Sequence, residues 1–505
     1  MQTSPRAPAI LASLAPALPH ISNAARPAYY HALTTTLETY VDQTSDPSSS
    51  SPPPSLLART SLVPATPLPT TLATLLAHLL THINQHLPVA TMSTTTTTTT
   101  TTRNGNLELS DEVAWAMDTA AKCLLALGEH FPSACAPVVL PLTRVARLLL
   151  EACVPARLIA AYTASSASSL LGPTSSSLSS TFNLCVLESA HSHAGSFLSI
   201  LRSRLAVTFD HLDEGRASPA ATQGERVAHE GPDLNVKALA QQAAENAAPG
   251  VYVALACDVL QGICSCRVGV EHWDEGLLVP RPSEGGGGHS GGGGNLGSSD
   301  EFLHAHLIGS GVPYWCMVGF DIDAAVRQSG WALLGEMAEA PQVHPLLTRA
   351  INIDLDPDMN VVHFMIPLLV RACELSRLRT ENLAATNNAV WCLGCWWKHR
   401  LVLTPSNEVA GSAGSQLVRA TLETLYGLVS VGVHRGGVPR SLVENGVVAL
   451  GRCAIGLGGE GLLWVRDAWG ALRDVIQAGL RTVRVGKERE DAEAGFATLQ
   501  GLASA

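Results

Sequence analysis

The chain has 505 residues, 46% of them hydrophobic, and a formal net charge of −11 from 32 Lys+Arg against 43 Asp+Glu. That length supplies apolar surface for a large core or for several domains of ~100–200 residues each. The acidic balance disfavours nucleic acid and anionic membranes as electrostatic partners and would suit a basic one.

Aromatic residues make up only 5%, Ala and Leu abound, and long Val/Ile/Thr alternations are absent, which favours helices over sheets. Lys is rare (Lys122, Lys237, Lys398 and Lys487) and Arg supplies the remaining positive charge. With the high Ala and Gly content, this reads as composition bias. The N-terminal MQTSPRAPAILASLAPALPH has a short apolar run broken by prolines, a weak match to a secretory signal. No run reaches the ~18 uncharged apolar residues of a membrane span. A soluble intracellular protein is expected, and the twelve Cys, scattered through apolar stretches, suit a reducing compartment.

Residues 1–44 hold one or two short helical segments. Ser45 to Pro54 is a Ser/Pro linker. Leu56 to Leu87 reads as apolar helix with Pro interruptions, and Thr94 to Thr102 is an unbroken threonine tract with nothing apolar to bury. Leu107 to Leu150 predicts two antiparallel helices. The first opens on Ser110-Asp111-Glu112, whose acids suit the helix dipole; Pro132 breaks the chain, and the second runs from about Pro137. Ser165 to Ser180 is a Ser-rich insertion, Asn183 to Val207 is helical, and Asp210 to Asp233 is a polar loop. Val236 to Ala247 and Val251 to Val268 form a helix pair split by Pro249-Gly250, and Pro280 to Ser299 is a Gly-rich flexible loop.

Beyond that loop the chain is denser. Helices are expected at 324–339, 342–350, 359–378, 381–399, 416–433, 438–456, 461–483 and 486–503. They come in pairs of about 40 residues, the period of HEAT or armadillo repeats, in which each pair buries its apolar faces against its neighbours. The expected fold is therefore an all-α, HEAT/armadillo-like superhelical solenoid with Ser/Thr/Pro/Gly-rich insertions. Residues 1–240 form a divergent helical region and 241–505 the more regular array. An ordinary helical domain without repeat character is the alternative.

Few motifs suggest chemistry. The 285–294 glycine tract lacks both the Lys-Ser/Thr of a phosphate loop and a preceding strand. Cys392 and Cys395 form a CxxC inside a predicted helix with no second pair at zinc-finger spacing, so buried thiols are expected; Cys264-Ser265-Cys266 reads alike. His191-Ser192-His193 has no third ligand nearby, and a solvated helix face fits it better than a metal site. There is no GxSxG and no HExxH. The balance tilts from enzyme toward binding protein, and no cofactor or metal is implied.

The stretch Glu381 to Arg400, ENLAATNNAVWCLGCWWKHR, places Leu383, Asn387 and Trp391 every four residues on one helical face. Such a stripe can be a contact surface or the buried side of a packed helix. Three blocks here carry a resemblance. AVRQSGWALLGEMAE (Ala325 to Glu339) resembles "VRQS-x-x-ALLGDL", NNAVWCLG (Asn387 to Gly394) resembles "NNATWAIGE", and SLVENGVVALGR (Ser441 to Arg452) resembles "LLENTAITIGRL". All are repeat helices of the transportin family, the importin-beta-like nuclear import receptors. Val483 to Leu502 is more loosely similar to "RDxxEKxDAFRGL", and residues 1–240 match nothing in the family.

The resemblance implies a receptor that shuttles between cytoplasm and nucleus. Its partners would be cargo proteins with basic proline-tyrosine (PY-type) localisation signals, nucleoporins and the small GTPase Ran. It implies that Trp391 is an aromatic cargo contact, that Asn387 hydrogen-bonds the cargo backbone, and that Leu383 and Val448 complete an apolar patch. For Trp391, core packing is the competing reading. The Ran-binding repeats, the acidic loop and the proline-tyrosine pocket of the family are not visible, and the chain stops before the family's last repeats. Arg327 would pair with an acid, with Asp321 and Asp323 as local candidates. Cys395 stands where the family has an acid, so a negative charge is lost. Gly446 inside a helix costs about 1 kcal/mol relative to Ala. Trp396 and Trp397 have no assigned role. A helical-repeat interaction scaffold without transport activity is the alternative function.

Overall fold

The computed structural model describes residues 28, 32, 68–86, 111–129, 131–170, 250–267, 313–321, 323–349, 360–373, 383–402, 413–434, 439–456, 459–481 and 487–504. These are predominantly helical, with no β-strand among them, so the all-α class expected from composition is what the described residues form. The Ser/Pro linker, the threonine tract, the loop at 210–233, the segments at 183–207 and 236–247, the His191/His193 pair and the Gly-rich loop at 280–299 lie outside the described residues. So does the expected boundary near 240.

The described helices divide into two compact units. The first holds α1 (Leu68–His86), α2 (Asp111–Leu127), α3 (Pro132–Leu170) as far as Ala152, and α4 (Gly250–Cys266) from Leu255. In α2, Val113, Ala116, Met117, Ala120, Leu124 and Leu127 recur at helical spacing and are all buried. They face α1, whose Leu72, Leu75, Leu76, Leu79 and Ile83 supply the other half of the core. Pro132 does not break α3 but opens it. A proline fits the first helical position because its missing N–H would have no intrahelical partner there. Phe131 caps the junction, donating to Leu127 O and accepting from Ala134 N. At its other end α3 runs on through Pro155 to Leu170, into the expected Ser-rich insertion, and ends just before Gly172-Pro173. Cys264 and Cys266 are buried free thiols, and the Cys266 Sγ–H donates to Gly262 O at 3.1 Å.

The second unit holds the remainder of α3 and α4 with α5 (Tyr314–Met317), α6 (Ala324–Glu339), α7 (His344–Leu347), α8 (Val361–Ala372), α9 (Leu383–Lys398), α10 (Ala413–His434), α11 (Arg440–Gly456), α12 (Gly459–Leu480) and α13 (Lys487–Ser504). The expected helix at 342–350 is reduced to a 3-10 turn, Pro341–Val343, and the single turn of α7. Pro341 and Pro345 each remove a backbone donor there. The remaining helices fall close to their expected positions.

They form two rows. In one, α6 packs on α9, α9 on α11 and α11 on α13; in the other, α8 touches α10 and α10 touches α12. The rows join through α8 on α9, α10 on α11 and α12 on α13. In the first row α6, α9 and α11 run parallel, because contacting residue numbers rise together: Gln328 with Asn388 and Leu334 with Trp396, then Asn387 with Asn445 and Cys395 with Arg452. These helices begin at residues 324, 383, 440 and 487, so successive members are 59, 57 and 47 residues apart, longer than the expected 40. The excess lies in connecting segments such as 374–382 and 403–412.

Glycines set how closely the rows approach. A Cβ on Gly446 would lie 2.8 Å from Val429 and 2.9 Å from Leu428, so the helix propensity lost at this position lets α11 close on α10. The Arg327 expectation changes in detail. Asp321 gives its carboxylate to Arg157, 164 residues upstream, through Nε to Oδ2 (2.5 Å) and Nη2 to Oδ1 (2.6 Å). Asp323 caps α6 by accepting from Ala325 N at 2.9 Å. Arg327 is itself buried, and its Nη1 donates to the main-chain oxygen of Asp321 at 2.7 Å.

Candidate functional site

The blocks read from the sequence meet at the seam of α6, α9 and α11. Along α9 the alternation is helical. Ala385, Ala389, Val390, Leu393, Trp396 and Trp397 are buried, while Leu383, Ala384, Asn387, Asn388, Trp391 and Lys398 face outward or lie half-buried. Of the four candidate contact residues, Leu383 is 43% exposed at the start of α9, and Asn387 and Trp391 follow on the same face, half-buried. Val448 is on α11 and only 3% exposed, so most of its surface is taken by packing. Asn388 and Asn445 stand at corresponding positions of the two blocks, 57 residues apart, and Asn445 Nδ2 donates to the neighbouring Asn387 Oδ1 at 3.0 Å. Asn388 donates in the other direction, to Gln328 O on α6, at 3.0 Å. Side-chain amides therefore bridge three parallel helices in succession.

Trp391 is seated by a residue the sequence reading passed over. A Cβ on Gly335 would lie 2.2 Å from Cζ3 and 2.5 Å from Cε3 of the Trp391 ring, so the indole occupies the space that glycine leaves free. One edge of the ring is thus fixed by α6, and the residue stays partly accessible. Trp396, without an assigned role before, is fully buried and donates its Nε1–H to Leu334 O at 3.1 Å, pinning α9 to α6. The helix then stops in a Schellman arrangement. Arg400 has φ 57°, its N–H bonds to Trp397 O, and the Leu401 N–H bonds to Trp396 O.

One turn beyond Trp391 lies a polar cluster. Glu339, at the end of α6, receives Lys398 Nζ at 3.2 Å and His399 Nε2 at 3.3 Å, and Arg452 Nη1 of α11 stands 3.8 Å away. Arg452 Nη1 also donates to Cys395 Sγ at 3.0 Å. Glu339 thus brings a carboxylate from the neighbouring helix to the groups around Cys395. Burial works against ionising Glu339, but the His399 hydrogen bond and the Arg452 and Lys398 charges outweigh it and hold the carboxyl well below the usual range. His344 stacks edge-on against His399 with ring centroids 5.3 Å apart, and its Nε2 donates to Ala338 O at 2.6 Å. Burial depresses its pKa in spite of that bond. Cys392 and Cys395 are buried free thiols, as the sequence suggested, and burial pushes both far above the ordinary thiol range. Neutral, enclosed thiols are poor nucleophiles. Among the described residues no group of three His, Cys, Asp or Glu side chains is placed to hold a metal ion.

No family model matches the chain, and no curated protein matches it either.

The cluster was not legible in advance because Glu339 precedes Cys395, Lys398, His399 and Arg452 by 56 to 113 residues in sequence. Gly335, Glu339 and Arg452 all sit inside the quoted blocks, and the signal that could have found them is the offset of nearly 60 residues that aligns one parallel helix with the next.

Proposed function

We propose that residues 313–504 form a HEAT-like solenoid that binds an extended protein segment, in the manner of a transportin-type nuclear import receptor. The observation that carries the reading is the amide bridge of Asn387 and Asn445 beside a half-accessible Trp391. Paired helices in two rows, with α6, α9 and α11 of one row parallel, support the solenoid. Half-exposed amides next to an indole suit an extended peptide, whose backbone has no internal hydrogen bonds and whose apolar or cationic side chains stack on an aromatic face. Glu336 and Glu444, both partly exposed on α6 and α11, add negative charge for a basic signal. Cargo proteins with basic PY-type signals, nucleoporins and Ran are the partners of this reading, and shuttling between cytoplasm and nucleus is its consequence.

The burial of Val448 and the seating of Trp391 on Gly335 favour a second reading, in which the seam only packs helices and the array is an interaction scaffold. A fluorescent basic proline-tyrosine peptide titrated against the full chain separates the two. Micromolar binding that Trp391→Ala weakens by tenfold or more, and that salt weakens further, supports the receptor. Absence of binding by the folded chain leaves the scaffold.

A further inference from the structure

Helix α12 carries a face that the receptor reading does not use. Leu472, Val475, Ile476 and Gly479 are buried on its packed side. On the opposite side Arg466, Gly470, Arg473 and Gln477, together with Arg481 in the turn after the helix, are exposed. Their spacings of four, three, four and four residues gather them into one stripe about 80° wide, and Arg466 and Arg481 stand about 22 Å apart along the axis. Three guanidinium groups thus line one outer face of a chain whose net charge is −11. Asp474 borders the stripe and pairs with Arg473 at 2.9 Å, but both side chains are at least half exposed, so water competes well for that contact. Nothing lies within 4 Å of where a Cβ on Gly470 would be, which leaves the helix surface bare between Arg466 and Arg473.

We propose that this stripe is a docking surface for a short acidic segment of a protein partner, laid along α12 with carboxylates opposite the three arginines. A guanidinium donates two parallel hydrogen bonds to a carboxylate, so each arginine sets one anchoring position. The 22 Å reach corresponds to about seven extended residues. A bilayer is disfavoured because the residues between the arginines, Gly470, Ala471 and Gln477, offer nothing apolar to insert. A nucleic acid is disfavoured because its continuous charge would meet the acidic remainder of the chain, whereas a short peptide meets only the stripe.

The test uses the full chain and a fluorescein-labelled ten-residue peptide of alternating Glu and Ser, followed by anisotropy at low and moderate salt. The triple variant R466Q/R473Q/R481Q weakens binding on the order of tenfold while leaving the helical circular dichroism and melting temperature unchanged, since all three side chains are exposed. Asp474→Asn strengthens binding by releasing Arg473, and added salt weakens it. Trp391→Ala leaves it intact, which separates this surface from the α6/α9/α11 seam. The proposal is overturned by equal binding of the triple variant, or by no binding at low salt. It is also overturned if phosphatidylserine vesicles or a 20-nucleotide uridine RNA bind more tightly with the same dependence on the three arginines.

Discussion

Replacing Arg157 with leucine strands the Asp321 carboxylate in the second unit. Both side chains are 6% exposed, and the pair is joined by two near-parallel hydrogen bonds of 2.5 and 2.6 Å. Removing one partner of such a pair typically costs about 3–5 kcal/mol, because the remaining charge is buried without compensation. Asp321 keeps some support. Its Oδ1 still accepts from Asp323 N at 2.8 Å, and the Arg327 guanidinium stands at its main-chain oxygen. The loss should therefore fall near the lower end, about 3 kcal/mol. Urea unfolding of the full chain followed by tryptophan emission measures it. Trp331 is a suitable reporter, since its ring lies against Gly319, two residues before Asp321. Arg157→Leu with Asp321→Asn should cost clearly less than the sum of the single changes, because the uncompensated charge is gone. A loss below about 1 kcal/mol for Arg157→Leu, or strict additivity in the cycle, refutes the view that this pair holds the start of α6 to α3.

Gly335→Ala places a methyl 2.2 Å from the Trp391 ring, so it should cost about 1–3 kcal/mol and shift tryptophan emission to the red; an unchanged spectrum and stability would mean the ring has room to spare. At Gly394 helix propensity alone predicts a gain of about 1 kcal/mol for alanine, whereas a Cβ 2.9 Å from the Ala449 Cα predicts a net loss, and denaturation reads the sign directly. Arg400→Gly removes a side chain from a left-handed position and should raise stability by about 1 kcal/mol, with no gain counting against the Schellman assignment. Acid should act in two stages. His344 has a folded pKa below its ordinary 6.5, so the unfolded chain takes up the proton first and stability declines as pH falls from there. The contribution of Glu339, whose folded pKa is depressed below 4.5, is complete above that value and is lost on further acidification. His344→Asn should flatten the upper stage, and an unaltered slope between pH 7 and 5.5 rules His344 out as its source.

Helix placement in the second unit was legible because it rests on local terms. Apolar residues at helical spacing located α6, α9, α11, α12 and α13 within a few residues of their positions. The buried state of Cys392 and Cys395 was also legible, since thiols within an apolar helix follow its packed face. Failures came where a single residue has two uses. Pro132 can break a helix or open one, and only the turn through Phe131 decides. Gly446 is a propensity cost in isolation and a close-packing gain against Val429 and Leu428. What the tertiary structure alone decided is the company each residue keeps. Arg157 meets Asp321 across 164 residues, Gly335 seats Trp391, Asn445 reaches Asn387, and Glu339 gathers Lys398, His399 and Arg452. Periodicity tells which face of a helix is apolar, but not which helix covers it. That choice follows from matching shapes and charges among distant segments, which a linear pattern does not contain.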